Sequence, residues 1–405
     1  AHVSDVAVKD ELYQYLHIDG FSKLHETGNP ALPCRTDRVA MPPGSIAEIE
    51  LIDFQFEEYE GFVIHPALRP ARDTEGAPEP EFEINEALYS TNAFYPESPV
   101  KLKDTHLIRG IPVAMVQTIP VLFNPVTGKV RVYTRLTFQV KLTRGKGSFE
   151  SIATSNSRVF TNNLKKSVIN PESLPDGISG KEMRKSKDGA KNYIIVTHED
   201  YYAQVLQLAN WKRQLGYSVE IISGSNWTSE QIKSEIQNRY DFWDPKPDYV
   251  LIFGDHTGAG AVPGEIHQDP YYSDNFATDL YYLCMDGESD WHPDLAGGRI
   301  SVSSVAEAQV VVDKIINYEK NPVNVPGFYE NAITCAQYQD DDNNGFADRR
   351  FCHTSEEIFE YLQSDQKYIA ERIYYTSSTA DVTGLRYNNG YYSYGQLLPS
   401  KLRTS

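Results

Sequence analysis

The sequence predicts an α/β protein in which a mostly parallel sheet carries helices on both faces and follows an antiparallel β-rich domain. Three observations support this. Short apolar runs alternate with helical patterns between residues 191 and 253, residues 130–142 alternate apolar with polar, and the first 150 residues hold no long amphipathic helix. Strands separated by helices of this length pair in parallel through right-handed crossovers. Strict alternation instead marks a sheet with one buried and one wet face.

In chain order, residues 62–64 and 113–116 read as strands of the first domain, and residues 70–80, rich in Pro, Glu and Arg, as an exposed loop. A turn through Asn124-Pro125-Val126-Thr127-Gly128 leads into the alternating strand. There Val130, Val132, Thr134, Leu136, Phe138, Val140 and Leu142 share one face, and Arg131, Tyr133, Arg135, Gln139 and Lys141 share the other. This β-rich domain is assigned to residues 1–150. Residues 151–190 follow as a linker dominated by Ser, Asn, Lys, Gly and Pro, a composition that buries too little apolar surface to order itself. Its basic end, Lys181 to Lys191, is either a processing region for a protease that cuts after Arg or Lys, or a solvated tether.

The third region, 191–405, opens with a strand at 193–196 and a capping stretch, Thr197-His198-Glu199-Asp200. A helix follows with Val205, Leu208, Ala209 and Leu215 on one face, ended by Gly216. A strand at 217–222, a helix at 228–240 with Ile232, Ile236 and Tyr240 in register, and a strand at 249–253 complete the pattern.

Composition narrows the class of molecule. The 405 residues suit two or three domains, and 40% hydrophobic content is enough for true cores. A formal net charge of −18 argues against a nucleic-acid partner, because phosphate binding needs clustered Lys and Arg. No run approaches the roughly 20 apolar residues of a membrane span. The chain begins at Ala1 with no methionine, which fits either a mature terminus left by signal cleavage or a shortened chain.

Several residues are chemical candidates. In a doubly wound sheet, ligands gather beyond the carboxyl ends of the strands, where Asp255 and His256 follow the strand at 249–253. A His beside an Asp can act as a general base, and the plainer alternative is that both satisfy loop backbone. Asp274, Asp279, Asp286, Glu288, Asp290 and Asp294 form an oxygen-rich stretch suited to calcium or simply to solvent. The spacing Asp340-x-Asp342-x-Asn344-Gly345 matches the opening of a calcium loop, with Asp348 at the ninth position. Phe351 stands at the twelfth in place of Glu, so an EF-hand is excluded while a looser calcium site stays open. Among the four cysteines, Cys335 reads as a small buried hydrophobe. The adjacent Cys352-His353 pair is disfavoured as a catalytic dyad, because neighbouring side chains point apart.

Taken together, residues 248–256, the segment Asp279-Leu280-Tyr281-Tyr282, the Gly298-Arg299-Ile300-Ser301 turn leading into a helix at 305–318, and the acidic Asn343-Asn344-Gly345 loop resemble the gingipain family of cysteine peptidases. Residues 1 to about 150 resemble that family's propeptide. The resemblance implies a caspase-like fold and a secreted bacterial endopeptidase made as a zymogen, with structural calcium, a preference for cleaving after basic residues, and proteins or peptides as substrates. By the same resemblance Asp348 is the carboxylate that binds the substrate's basic side chain, and the acid that orients the catalytic histidine falls near Gln339-Asp340.

The family's catalytic histidine and cysteine follow its fourth large strand, which here resembles residues 368–375, and no histidine follows His353. The expectation is therefore that the dyad lies on a segment downstream of Ser405 and that this chain alone is inactive. The alternative is a non-enzymatic secreted binding or assembly module that retains the fold.

Overall fold

Each half of the molecule follows from its own sequence periodicity. The computed structural model describes residues 2–8, 11–72, 78, 80–143, 157–177, 192–339, 349, 351–376 and 402–404. The N-terminal half comprises β1 (His2–Val8), β2 (Glu11–His17), β3 (Ser22–Lys23), β4 (Pro33–Ala40), β5 (Ile46–Tyr59), a single-turn α1 (Glu86–Tyr89), β6 (Val100–Ile108), β7 (Ile111–Thr118), β8 (Val121–Asn124) and β9 (Lys129–Thr143). All its ladders are antiparallel; the two main sheets run in the orders β3-β4-β7-β6 and β5-β9-β8. Val39, Val100, Ala114 and Val116 of the first sheet meet Leu136, Phe138 and Val140 of β9 in one cluster. That contact is why β9 alternates.

Two expectations for this half change. Leu142 is exposed near the end of β9, and residues 62–64 form no strand. Ile64 is fully buried but makes only an isolated bridge to Gln14, with Phe62 tied to the Gly128 carbonyl at 3.0 Å. Only Ile64 of the three is buried, with Val63 exposed beside it, and one seated side chain anchors a segment without building a ladder.

Part of the segment read as a linker is folded. α2 (Arg158–Lys165) starts at Ser157, whose hydroxyl accepts from the Phe160 amide, and a short turn follows at Pro171–Ser173. Leu164, Val168 and Leu174 bury against Ala40, Ile111 and Val113. Asn170 brackets Ala40, accepting from its amide and donating to its carbonyl, both at 2.9 Å. Average composition concealed three well-spaced apolar side chains.

The C-terminal half alternates β10 (Tyr193–His198), α3 (Tyr202–Gln214), β11 (Val219–Gly224), α4 (Ser229–Phe242) and β12 (Tyr249–Phe253), then a hairpin of β13 (Glu265–Gln268) and β14 (Asn275–Thr278), followed by β15 (Ala296–Ile300) and α5 (Val305–Lys320). The sheet order β11-β10-β12-β15 is parallel throughout. Successive residues of β10 point to opposite faces: Ile194 and Val196 pack against Ile232, Ile236 and Tyr240 of α4, and Ile195 packs against α3 and α5. Burial on both faces makes these strands read as continuous apolar runs. Leu215 is exposed, because α3 ends at Gln214 and Leu215 is its C-cap. The Gly298-Arg299-Ile300 stretch, read as a turn, is strand: Gly298 pairs with Leu251 and Arg299 with Ile252.

A second parallel sheet has the order β16 (Asn331–Tyr338), β17 (Ile369–Thr376) and β18 (Leu402–Thr404), with α6 (Phe351–Ser364) between its first two strands. Contrary to expectation, Cys335 is exposed. Thr334 and Tyr338 of β16 are buried, whereas Ile333, Cys335 and Gln337 alternate onto an exposed face.

Candidate active site

The carboxyl end of β12 is shaped by Gly254. Its φ of 145° suits glycine, and a Cβ there would lie 2.7 Å from Val262 Cγ2. The chain then ties itself to β15: the Gly254 amide donates to Ile300 O at 3.0 Å and the Asp255 amide to Val302 O at 2.9 Å. Asp255 Oδ1 accepts from the His256 amide, and His256 Nδ1 accepts from the Gly264 amide, each at 2.8 Å. With Nδ1 an acceptor, the neutral imidazole carries its proton on Nε2. The pair thus serves loop backbone, the plainer of its two readings. Beside it Arg299 forms a two-pronged pair with Asp279, at 2.8 and 2.6 Å, and donates to Gly254 O and Val262 O at 2.8 and 2.6 Å. One guanidinium thereby fastens strand end, loop and acidic segment together.

The β13–β14 hairpin tip is preorganised, since Asp269 Oδ1 accepts from the amides of Tyr271 and Tyr272 at 2.7 and 2.8 Å. Residues 70–72 of the N-terminal half lie across this tip. Tyr272 donates its hydroxyl proton to Pro70 O, Arg72 ion-pairs with Asp274 and stacks over the Tyr272 ring at 4.6 Å, and Arg349 donates to Arg72 O at 2.7 and 3.2 Å. Arg349 adjoins Asp348 in sequence and lines a cavity of about 730 Å³ with Thr334, Cys335, Phe351, Ser355 and Ile358. Asp340, Asp342, Asn344 and Asp348 themselves lie outside the described residues.

Three members of the oxygen-rich stretch converge. Asp286, Asp290 and Asp294 each bring a carboxylate oxygen within 4.8 Å of the others. Backbone amides orient them: Met285 N donates to Asp294 at 2.6 Å, His292 N to Asp290 at 2.9 Å, and Asp286 N to Asp290 at 3.1 Å. Burial, and then the neighbouring Asp286, push the Asp294 carboxyl up to about 7. Burial followed by Asp290 raises Asp286 in the same direction. Asp274 and Asp279 are committed elsewhere, to Arg72 and Arg299.

Cys352 and His353 are both buried in the first turn of α6. Burial, reinforced by Glu356, pushes the Cys352 thiol up to about 12, the wrong direction for a nucleophilic thiolate, and His353 pairs with Glu357 at 3.0 Å. Sequence reasoning missed Arg109, a residue of the N-terminal half whose fully buried guanidinium bonds to residues 246–248 of the other half. Its one signal is position, in a two-residue Arg-Gly turn between apolar strands.

Comparison with known proteins agrees with the motif-based resemblance. The chain is 24% identical over 302 residues to Gingipain R1 of Porphyromonas gingivalis, covering 74% of this chain and 29% of the relative. It is 22% identical over 355 residues to Lys-gingipain HG66 of the same organism, covering 82% of this chain and 19% of the relative. The chain thus spans less than a third of the length of either. Among solved structures, a complex of the pro- and mature domains of RgpB from Porphyromonas gingivalis aligns with a TM-score of 0.37 at 22% identity, over 42% of this chain and 87% of that one. The Arg-specific cysteine proteinase gingipain R aligns with a TM-score of 0.37 at 21% identity, over 45% of this chain and 41% of that one. The model of the C25 propeptide matches residues 1–173, and that of peptidase family C25 matches residues 186–396, more than half of the chain. The chain therefore belongs to peptidase family C25 and carries a C25 propeptide ahead of its peptidase region.

Proposed function

We propose that this chain is the zymogen portion of a secreted gingipain-like cysteine endopeptidase that cleaves after basic residues. The observation that carries this reading is the succession of propeptide and C25 peptidase region in one polypeptide, with residues 70–72 of the first lying across the β13–β14 hairpin of the second. The family match gives no support to the non-enzymatic alternative.

In this reading the parallel sheet is the scaffold, and the loops at its carboxyl ends form one wall of the substrate cleft. Asp348 is the proposed specificity residue. A carboxylate at the base of a pocket meets a guanidinium through two parallel charge-assisted hydrogen bonds, each contributing about 1.5–3 kcal/mol. Calcium is the proposed structural cation. Its oxygen chemistry suits Asp340, Asp342 and Asn344, and equally the carboxylates of Asp286, Asp290 and Asp294. No helix among the described residues is long and apolar enough to cross a membrane, which is compatible with the proposed secretion.

The test is labelling of the processed precursor with an electrophilic peptide ending in arginine, followed by mapping of the modified residue. The expected result is one modified cysteine other than Cys352, protected by excess arginyl substrate. Modification of Cys352, or no cysteine modification, overturns the assignment.

A further inference from the structure

At the amino ends of β12 and β15, opposite the strand ends that carry Asp255 and His256, one arginine of the N-terminal half is enclosed by the C-terminal half. β6 and β7 are joined by the two-residue turn Arg109-Gly110, with φ of 51° and 76°. Two left-handed residues in succession suit the tight hairpin twist, yet only glycine adopts that conformation without cost, so Arg109 needs compensation from its contacts.

Those contacts form a cage. One terminal guanidinium nitrogen donates to Pro247 O at 2.8 Å, Asp248 Oδ1 at 3.3 Å and Asp294 O at 3.4 Å, and the other donates to Lys246 O at 3.1 Å. The Arg109 amide donates to Asp294 Oδ1. The Phe160 ring of α2 covers the guanidinium at 4.5 Å, and Ser157 donates to Asp248 Oδ1 at 2.6 Å. The Arg109 side chain is 0% exposed and that of Asp248 is 5% exposed.

The cage lies where strands begin, with Asp248 just before β12 and Asp294 just before β15, and the Ala296 amide donates to Asp248 O at 3.0 Å. All of its acceptors belong to the peptidase region, while Arg109, Phe160 and Ser157 fall within the propeptide match. A buried guanidinium is tolerated only when its charge is paired and its donors are used, and the carboxylates facing it are under the same constraint. A planar fork spans carbonyls on both sides; an ammonium, a compact point charge, does not reproduce that spacing.

We propose that this cage is a guanidinium-binding site, and that Arg109 seated in it, rather than the contacts of residues 70–72 with the β13–β14 hairpin, retains the propeptide on the peptidase region once the connecting segment is cut. The inference takes its names for the two halves from the zymogen reading, but its readout is association and not peptidase activity. Failure of either is therefore separable from failure of the other.

The test uses the full chain with a site-specific protease sequence inserted between residues 178 and 191. After cutting, dissociation of the two fragments is followed by size exclusion and surface binding. The unsubstituted fragments are expected to stay together, with Arg109→Lys and Arg109→Ala releasing the propeptide on the order of 100-fold faster and Arg72→Ala changing the rate far less. Should Arg109→Ala not fold, Arg109→Lys and a wild-type experiment decide: argininamide is expected to speed release of the wild-type fragments, and lysinamide at equal ionic strength is not. Wild-type release rates in Arg109→Lys, or equal effects of the two amides, overturn the proposal.

Discussion

At the scale of single residues, titration and metal binding oppose each other in the acidic cluster. Because burial and Asp286 hold Asp294 up to about 7, its neutral form is favoured in the folded protein. Its contribution to stability is complete below the ordinary carboxylate range and is lost as pH rises through about 7. A divalent cation favours the ionised carboxylates and so offsets that loss. Calcium is therefore expected to raise the unfolding temperature little at pH 5 and clearly at pH 8, as measured by scanning calorimetry. A pH-independent shift, or none, counts against calcium here. Asp348 separates two roles in the complete precursor: Asp348→Asn is expected to reduce cleavage after arginine while leaving calcium-dependent melting unchanged. Loss of calcium stabilisation instead would reassign it to the metal loop. Residue chemistry was only partly legible in sequence. Asp255 and His256 advertise their place at a strand end, but an arginine in a turn is ordinarily solvated. Nothing local to Arg109 announces partners 137 to 185 residues away.

At the scale of elements, legibility followed burial. α4 was readable because Ile232, Ile236 and Tyr240 share a buried face, and the structure adds a complete capping box between Thr228 and Gln231. Thr228→Ala is expected to cost about 1 kcal/mol and Ile236→Ala about 2–5 kcal/mol, the first losing a cap and the second opening a cavity. Denaturant unfolding checks both; an Ile236→Ala cost below that of Thr228→Ala would contradict the assigned core. Residues 62–64 and 298–300 were misread for a shared reason, since pairing partners decide whether a short segment is strand. Ile64 has one bridge, whereas Gly298 and Arg299 lie fully in register with β12. In the segment 157–174, tertiary contacts of Leu164, Val168 and Leu174 overrode a composition that reads as tether.

At the scale of the whole molecule, the halves touch through residues 70–72 on the β13–β14 hairpin that follows β12, and through Arg109 at the amino ends of β12 and β15. Sequence distinguished the halves through their two periodicities, but the way they dock depends on isolated side chains with no period. Limited trypsin digestion is expected to cut first between Lys181 and Lys191 and spare β9, because Leu136, Phe138 and Val140 are packed. Early cutting within β9 would contradict this arrangement. The most direct test of the zymogen reading is a cleavage-site profile: the processed precursor digests a denatured protein mixture, and mass spectrometry reads the residue preceding each new terminus. Termini following arginine or lysine, absent before the propeptide is removed, are the predicted result. Termini indifferent to the preceding residue, or no cleavage by the processed protein, would contradict it.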